Sequence, residues 1–408
     1  MLAIQRRSDW ALYALFQYFW ILVILPKFVQ MACLGALLFL IWFRSFGEKP
    51  LDKFTIAQLF YLLVYGVAIV INTLTTPHDL SRILAALNTW MITAVAIGLY
   101  HFYRQSDIDL VRVGKYSLCN LLILVLLWVV YKLTDGTQAF PILGRALMGD
   151  DWVNGLHAPR FFGYMDYANL VVFSVLFFYP LAMRFLSGKR LLPLLLTVVL
   201  YPVVDATNSR TGVVLYLLLL VAYFLFELQA WFFSLYKQHK YVLFFLACFG
   251  VLAIVALCSG KILQIVDRIM NMREGSNNMR MQIYTQSITT MLEKSPIIGI
   301  GIKDMLGGYP LGSHSTYIGV FYKAGILGGL IYVCSIIYLA IKIIFGKDVN
   351  RHAVTAKICL AAALLLMALE DVDGANWCIC IFYILLGFLQ TRALPPSCSR
   401  ETEGTKDE

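Results

Sequence analysis

Three short stretches hold residue types that could do chemistry together. The first is "LGSHSTYIGVFYKAGILGG" (311–329), where His314 sits between Ser313 and Ser315 at the border of a polar segment and an apolar run. The second is "DATNSRTG" (205–212), where Asn208, Ser209 and Arg210 fall between two apolar stretches with almost no loop to spare. The third is "SNNMRMQIYTQSITTMLEKSPIIGIG" (276–301), with Arg280 one helical turn before Tyr284. A histidine with an unperturbed pKa near ~6.5 can accept a proton at neutral pH. Arginine does not titrate, and its planar fork matches phosphate oxygens bidentately. General base plus fixed cations suits displacement of a lipid-bound diphosphate, with the arginines in the charge-balancing role a divalent cation would otherwise take. No carboxylate–metal cluster is apparent, so neither metal nor cofactor is expected.

The elements that must position these residues are membrane helices. Of the 408 residues, 60% are hydrophobic and 14% charged, against roughly 45–50% and 25% in a soluble domain. Apolar spans read at 9–25, 28–43, 54–73, 84–100, 114–132, 168–187, 191–205, 212–228, 241–258, 316–345, 355–371 and 376–391. Each approaches the ~20 residues a crossing helix needs. The expected class is an all-α polytopic membrane protein with about 12 transmembrane helices. Residues 1–391 form one transmembrane domain, and 392–408 form a polar, disordered cytoplasmic tail. The 316–345 span exceeds one crossing, which implies an interfacial start or a strong tilt.

The net charge of +9 reads as topology, not as nucleic-acid binding. With a cytoplasmic N-terminus and strict alternation, most lysines and arginines fall in cytoplasmic loops. The same alternation places two long loops outside, 133–167 and 259–315. Arg6 and Arg7 resemble a signal-peptide n-region, but no cleavage-site pattern follows, so the first span reads as a retained helix. The nine cysteines lie mostly inside apolar runs and form no disulfide or metal pattern.

Arg210 then lies at or just inside the outer surface. An arginine at mid-bilayer costs ~2.5–3.5 kcal/mol on insertion scales, which favours function or pairing; the alternative is a snorkelling anchor at a helix end. In the third stretch, Tyr284, Ile288, Met291 and Leu292 recur at helical spacing, "SNN" suits an N-cap, and Pro296 ends the helix. Arg280 is on its apolar side, where it faces an anionic ligand or a partner, or else is a surface residue of a badly phased helix. In the first long loop, Arg160 precedes Tyr164, Asp166 and Tyr167 and is a weaker anion contact. Glu370, Asp371 and Asp373 in "LEDVDG" read either as partners of an arginine or as a solvated helix end, with the second favoured. His101, His239 and His352 read as solvated cytoplasmic residues.

On these residues the chain resembles bacterial O-antigen ligases and the related Wzy-type polysaccharide polymerases. "HSTYIGVFYKAGILG" fits H-[NSQ]-x9-G-x-x-[GTY] through His314, Ser315, Gly325 and Gly328. "NSRTG" is similar to the family's Ser-Arg motif, and Arg280 followed by "KSPIIGIG" to its arginine and Pro-x-x-Gly-x-Gly segment. The resemblance implies a GT-C-like, metal-independent, inverting membrane glycosyltransferase in the bacterial inner membrane with an extracytoplasmic site. Its donor would be a glycan on undecaprenyl diphosphate. Arg210 and Arg280 would hold the diphosphate, and His314 would deprotonate or orient the acceptor hydroxyl. Arg160, Asn208, Ser209, Ser315 and Tyr284 would contribute substrate contacts. Many ligases carry His-His or His-Asn where this chain has Ser-His-Ser, which inclines the reading to a repeat-unit polymerase for O-antigen, capsule or exopolysaccharide. The alternative acceptor is lipid A–core, as in a ligase. Membrane lipids, and in a polymerase a chain-length regulator, complete the partners the resemblance suggests. A flippase of lipid-linked glycans is the rival from another class, but no inverted repeat supports it.

Overall fold

The computed structural model describes residues 27–45, 50–105, 211–222, 274–346, 351–373 and 378–393, with single helical positions at 119, 122, 123, 126 and 201. All structural statements concern these residues. The expected spans at 9–25, 168–187 and 241–258 lie outside them, as do 114–132 and 191–205 apart from those single positions.

Among the described residues the fold is helical. In chain order come α1 (Lys27–Ser45), α2 (Lys53–Thr75), α3 (Leu80–Gln105), α4 (Thr211–Ala222) and α5 (Glu274–Lys294). A two-stranded hairpin follows, β1 (Met305–Leu306) and β2 (Tyr309–Pro310). Then come α6 (Thr316–Ile344), α7 (Arg351–Leu369) and α8 (Cys378–Ala393). Every helix but α5 coincides with an apolar span to within a few residues; α5 lies where the sequence places an amphipathic helix. Three of them, α2, α3 and α6, are long and apolar enough to cross a membrane.

The pattern of exposure says what surrounds them. Along α2, Ile56, Phe60, Leu63, Val67, Val70 and Leu74 are exposed at steps of three and four residues. They form one apolar stripe. Tyr61, Tyr65, Ala68 and Ile69 are buried on the other side. On α6, Ile326, Leu330, Ile337 and Ile341 repeat the pattern. A helix apolar on its exposed face as well as its buried face has lipid as its solvent.

Lipid cannot drive helices together by hydrophobicity, so close packing and interhelical hydrogen bonds must do it. A Cβ on Gly387 of α8 would lie 2.5 Å from the Tyr100 carbonyl oxygen of α3, so only glycine permits that crossing. The rings of Tyr61 on α2 and Tyr332 on α6 pack 4.7 Å apart. Gln58 on α2 donates to Ser335 Oγ on α6 at 2.7 Å and accepts from the Tyr383 hydroxyl on α8 at 2.7 Å. At one end of α2, Asp52 caps the helix by accepting from the Thr55 amide at 3.0 Å, and it also takes the Tyr100 hydroxyl at 2.7 Å. His101, expected to be solvated, is buried there and stacks on Trp42 at 5.9 Å. The apolar periodicity of α3 carries it inward regardless of its polarity.

The length of α6 is resolved by a break. Gly325 has φ 64° and ψ −166°, so the helix is two pieces joined at one non-helical residue. An unbroken helix would bond the Ile326 and Leu327 amides to the Tyr322 and Lys323 carbonyls. Instead Ile326 donates to Pro296 O at 2.9 Å and Leu327 to Ile297 O at 3.0 Å. The carbonyls thus released accept from Ile300 at 2.9 Å and Gly301 at 3.0 Å. The "PIIGIG" segment therefore replaces both lost bonds from both sides. Asn72 of α2 donates to the Ile300 carbonyl at 2.8 Å and ties the inserted segment down. The piece from 326 onward is itself long enough for a crossing at 1.5 Å per residue.

Gly325 also has no room for a side chain, since a Cβ would stand 2.3 Å from Ile297 O. Gly325→Ala is expected to destabilise the protein by roughly 2 kcal/mol or more, from strain at positive φ plus backbone overlap. Gly35→Ala on α1, whose Cβ would meet only Met91 at 3.6 Å, is expected to be near neutral. Thermal unfolding of both variants in detergent checks the contrast.

Candidate active site

Arg280 and Tyr284 project from α5. The face of α5 that packs inward carries Ile283, Ser287, Thr290 and Met291, all buried, whereas Ile288 and Leu292 are exposed. The apolar stripe expected through 284, 288, 291 and 292 is thus rotated. Its buried face is part polar because it meets backbone. α5 begins at Glu274, so the "SNN" expected as an N-cap lies inside the helix.

That polar face pins the segment leading into α6. Ser287 Oγ accepts from the Gly312 amide at 2.7 Å, and the Tyr284 hydroxyl donates to the His314 carbonyl at 2.6 Å. His314 has φ 65°, and among the described residues it is the one non-glycine with positive φ. A bulky side chain in this region is strained, and such strain persists only where neighbours over-determine it. The neighbours here are Tyr284 and Ser315, the N-cap of α6, which accepts from the Ile318 amide at 3.4 Å. The Tyr309 ring of the hairpin lies 6.3 Å from the imidazole.

The acidic turn after α7 closes the site. Glu370 and Asp373 are each only 2% exposed, which corrects the expectation of a solvated helix end. The Glu370 carbonyl accepts from the Thr316 amide at 3.1 Å and from its hydroxyl at 2.9 Å. Its carboxylate Oε1 accepts from Arg280 Nη2 at 3.1 Å and from the Thr211 hydroxyl at 3.1 Å. Arg280 Nη1 donates in addition to the Leu369 carbonyl at 3.2 Å. Beside this, Lys303 pairs with Asp371 at 2.7 Å, and Lys323, fully buried on α6, pairs with Asp373. The arginine-partner alternative holds for Glu370; the sequence favours the solvated reading because the cations are 50 to 90 residues away in the chain.

Arg280, Tyr284, His314 and Ser315 are therefore gathered on one set of contacts, at the ends of α5, α6 and α7. Arg160, Asn208, Ser209 and Arg210 lie outside the described residues. Thr211, which follows Arg210 in the chain, is bonded into the cluster through Glu370. Lys303 and Tyr309 are members of the cluster that the sequence did not single out, and Glu370 takes the arginine-partner alternative, the less favoured of the two. Among the described residues no three His, Cys, Asp or Glu side chains are placed to share a metal ion.

The electrostatics set protonation states. Burial pushes the His314 pKa below its ordinary value, and the positive charge of Arg280 pushes it further down, with Asp371 opposing. The imidazole is then neutral at pH 7 and free to accept a proton. Burial holds the Tyr284 phenol above its ordinary value, so it stays a donor. Burial also pushes Asp371 up, but Lys303 and Lys323 outweigh it and hold the carboxyl below the usual range. Arg280 faces a buried anion on one side while its side chain stays 25% exposed. The site can thus bind an anion and take up a proton within one cluster. Replacing Arg280 by Gln removes a cation that depresses His314, so the His314 pKa is expected to rise, read by NMR titration of labelled imidazole.

No curated protein matches the chain at a significant level. A family model described as O-antigen ligase matches residues 191–333, a stretch that includes Arg210, Arg280, the inserted "PIIGIG" segment, His314, Gly325 and Gly328. That match, together with the apolar membrane-type helices, supports the resemblance to the O-antigen ligase/Wzy superfamily over this part of the chain.

Proposed function

We propose that this protein transfers a glycan from undecaprenyl diphosphate to an acceptor hydroxyl at the outer face of the bacterial inner membrane, as a repeat-unit polymerase. The family match indicates O-antigen ligase-like, glycosyltransferase-type activity on lipid-linked glycans. The observation that carries the proposed chemistry is the pairing of a neutral imidazole, His314, with a partly exposed guanidinium, Arg280, in one cluster, while the inclination to a polymerase rests on the Ser-His-Ser sequence at 313–315. In the proposed step the acceptor oxygen attacks the anomeric carbon. The bond from that carbon to the diphosphate oxygen breaks, and the configuration inverts. His314 takes the hydroxyl proton as general base. Arg280 and Arg210 balance the charge that collects on the departing undecaprenyl diphosphate, with Arg160 as a further contact. No metal is required by this scheme. Tyr284 and Ser315 act through His314, one holding its carbonyl and the other capping the helix behind it; Asn208 and Ser209 flank Arg210 in the chain.

The topology behind this reading comes from the basic loops, which place both termini in the cytoplasm and the cluster outside. A GT-C-like arrangement of about 12 helices belongs to the same proposal. A ligase is favoured by one observation of its own, the description of the matching family. It differs in acceptor and shares the leaving-group chemistry.

The test is purified protein with undecaprenyl-diphosphate-linked repeat units and EDTA. A ladder of longer lipid-linked glycans establishes a metal-independent polymerase. Transfer only after lipid A–core is added establishes a ligase instead. His314→Ala is expected to lower the rate by about 10²-fold or more, the span of general-base loss. Arg210→Lys is expected to rescue poorly, because an ammonium lacks the fork. Normal product from His314→Ala and Arg210→Ala would remove these residues from the site.

The pH dependence follows from His314. Its pKa lies below the ordinary value, so the neutral form predominates at pH 7 and above. Activity is expected to be flat there and to fall only as pH drops below ~6.5. In Arg280→Gln the residual activity is expected to decline at a higher pH than in wild type, which a pH–rate profile reads directly.

A further inference from the structure

Glu370 occupies a position the transfer step does not use. It is the first residue past α7, its side chain is 3% exposed, and it lies outside the family match at 191–333. Its carboxylate holds Arg280 and Thr211, while its carbonyl holds Thr316. One residue thus touches the segments that carry all three chemistry-bearing motifs.

A guanidinium held in a partly buried site needs a counter-charge before any ligand arrives. Glu370 supplies it. Arg280 is kept in place by a second anchor, the Leu369 carbonyl, so its orientation does not depend on the carboxylate alone. The geometry also bears on turnover. In diphosphate displacement the leaving group is itself a product. A site of fixed cations binds freed undecaprenyl diphosphate at least as well as the donor, and release then limits the rate. A resident carboxylate that returns to Arg280 weakens that hold.

We propose that Glu370 is a built-in counter-anion for Arg280, which the substrate diphosphate must displace or share and which helps expel the diphosphate product. Glu370 is a positioning residue in this scheme, since it acts through Arg280. The proposal rests on the reading of this cluster as a diphosphate site.

The experiment measures equilibrium binding of farnesyl diphosphate to the full-length protein in detergent, for wild type, Glu370→Gln, Arg280→Gln and the double variant. Gln keeps an acceptor oxygen for Arg280 and Thr211 and removes only the charge. The expected result is binding about fivefold to tenfold tighter in Glu370→Gln, as suits one partly screened charge pair. The gain is expected to vanish in the double variant. Glu370→Asp draws the carboxylate back by one methylene and is expected to give an intermediate gain; it serves if the Gln variant does not survive purification. A merely structural Glu370 would give weaker or unchanged binding alongside a lower melting temperature. If wild type binds through Arg280 but neither Glu370 variant binds more tightly, the counter-anion role is overturned and the diphosphate site stands. If no protein binds the probe and Arg280→Gln changes nothing, both fall together.

Discussion

The rest of the structure depends on how α6 is allowed to break inside an apolar environment. Stopping a helix in lipid exposes two carbonyls and two amides, each costing several kcal/mol if left unpaired. Pro296 and Ile297 supply the acceptors, and Ile300 and Gly301 supply the donors. The four bonds repay the break in kind. Glycine is needed at 299, 301 and 325 because a Cβ at each would lie 2.3–2.5 Å from backbone atoms of Gly325, Ile69 and Ile297 respectively. The broken helix and the inserted segment are one structural unit, although they are separate in sequence.

That unit places His314. The inserted segment follows α5 within a few residues, so fixing it against α6 also fixes α5 against the entry of α6. Ser287 and Tyr284 then reach the 312–314 backbone, and the His314 backbone is held at positive φ. The segment after α7 completes the arrangement through Thr316 and Glu370. Strain at His314 is tolerated because its carbonyl, the following N-cap and the next residue's backbone are all bonded.

Charge is organised around the same turn. Glu370, Asp371 and Asp373 pair with Arg280, Lys303 and Lys323, so each acid of the turn has its own cation. Breaking one such pair would strand the other member, which makes these contacts strong constraints on geometry even where their net worth is small. Arg280 and Lys303 both have part of the side chain open, and of the two Arg280 has the planar fork that suits a phosphate partner.

Much of this was legible in the sequence. Apolar runs located α1, α2, α3, α6, α7 and α8 to within a few residues, because a lipid-exposed helix must be apolar along its whole length. His314, Arg280, Tyr284 and Ser315 stood out because charged or titratable groups at such borders are costly unless used. Three things needed the tertiary structure. The break at Gly325 could not be read from a continuous apolar run, since the bonds that permit it come from residues 296–301. The phase of α5 was misread because its buried face meets polar backbone at 312–314 instead of side chains. The acids at 370–373 looked solvated because the sequence places their cations far away. Local composition determines which segments enter the membrane; partners distant in the chain decide which polar groups are satisfied there, and therefore where the site forms.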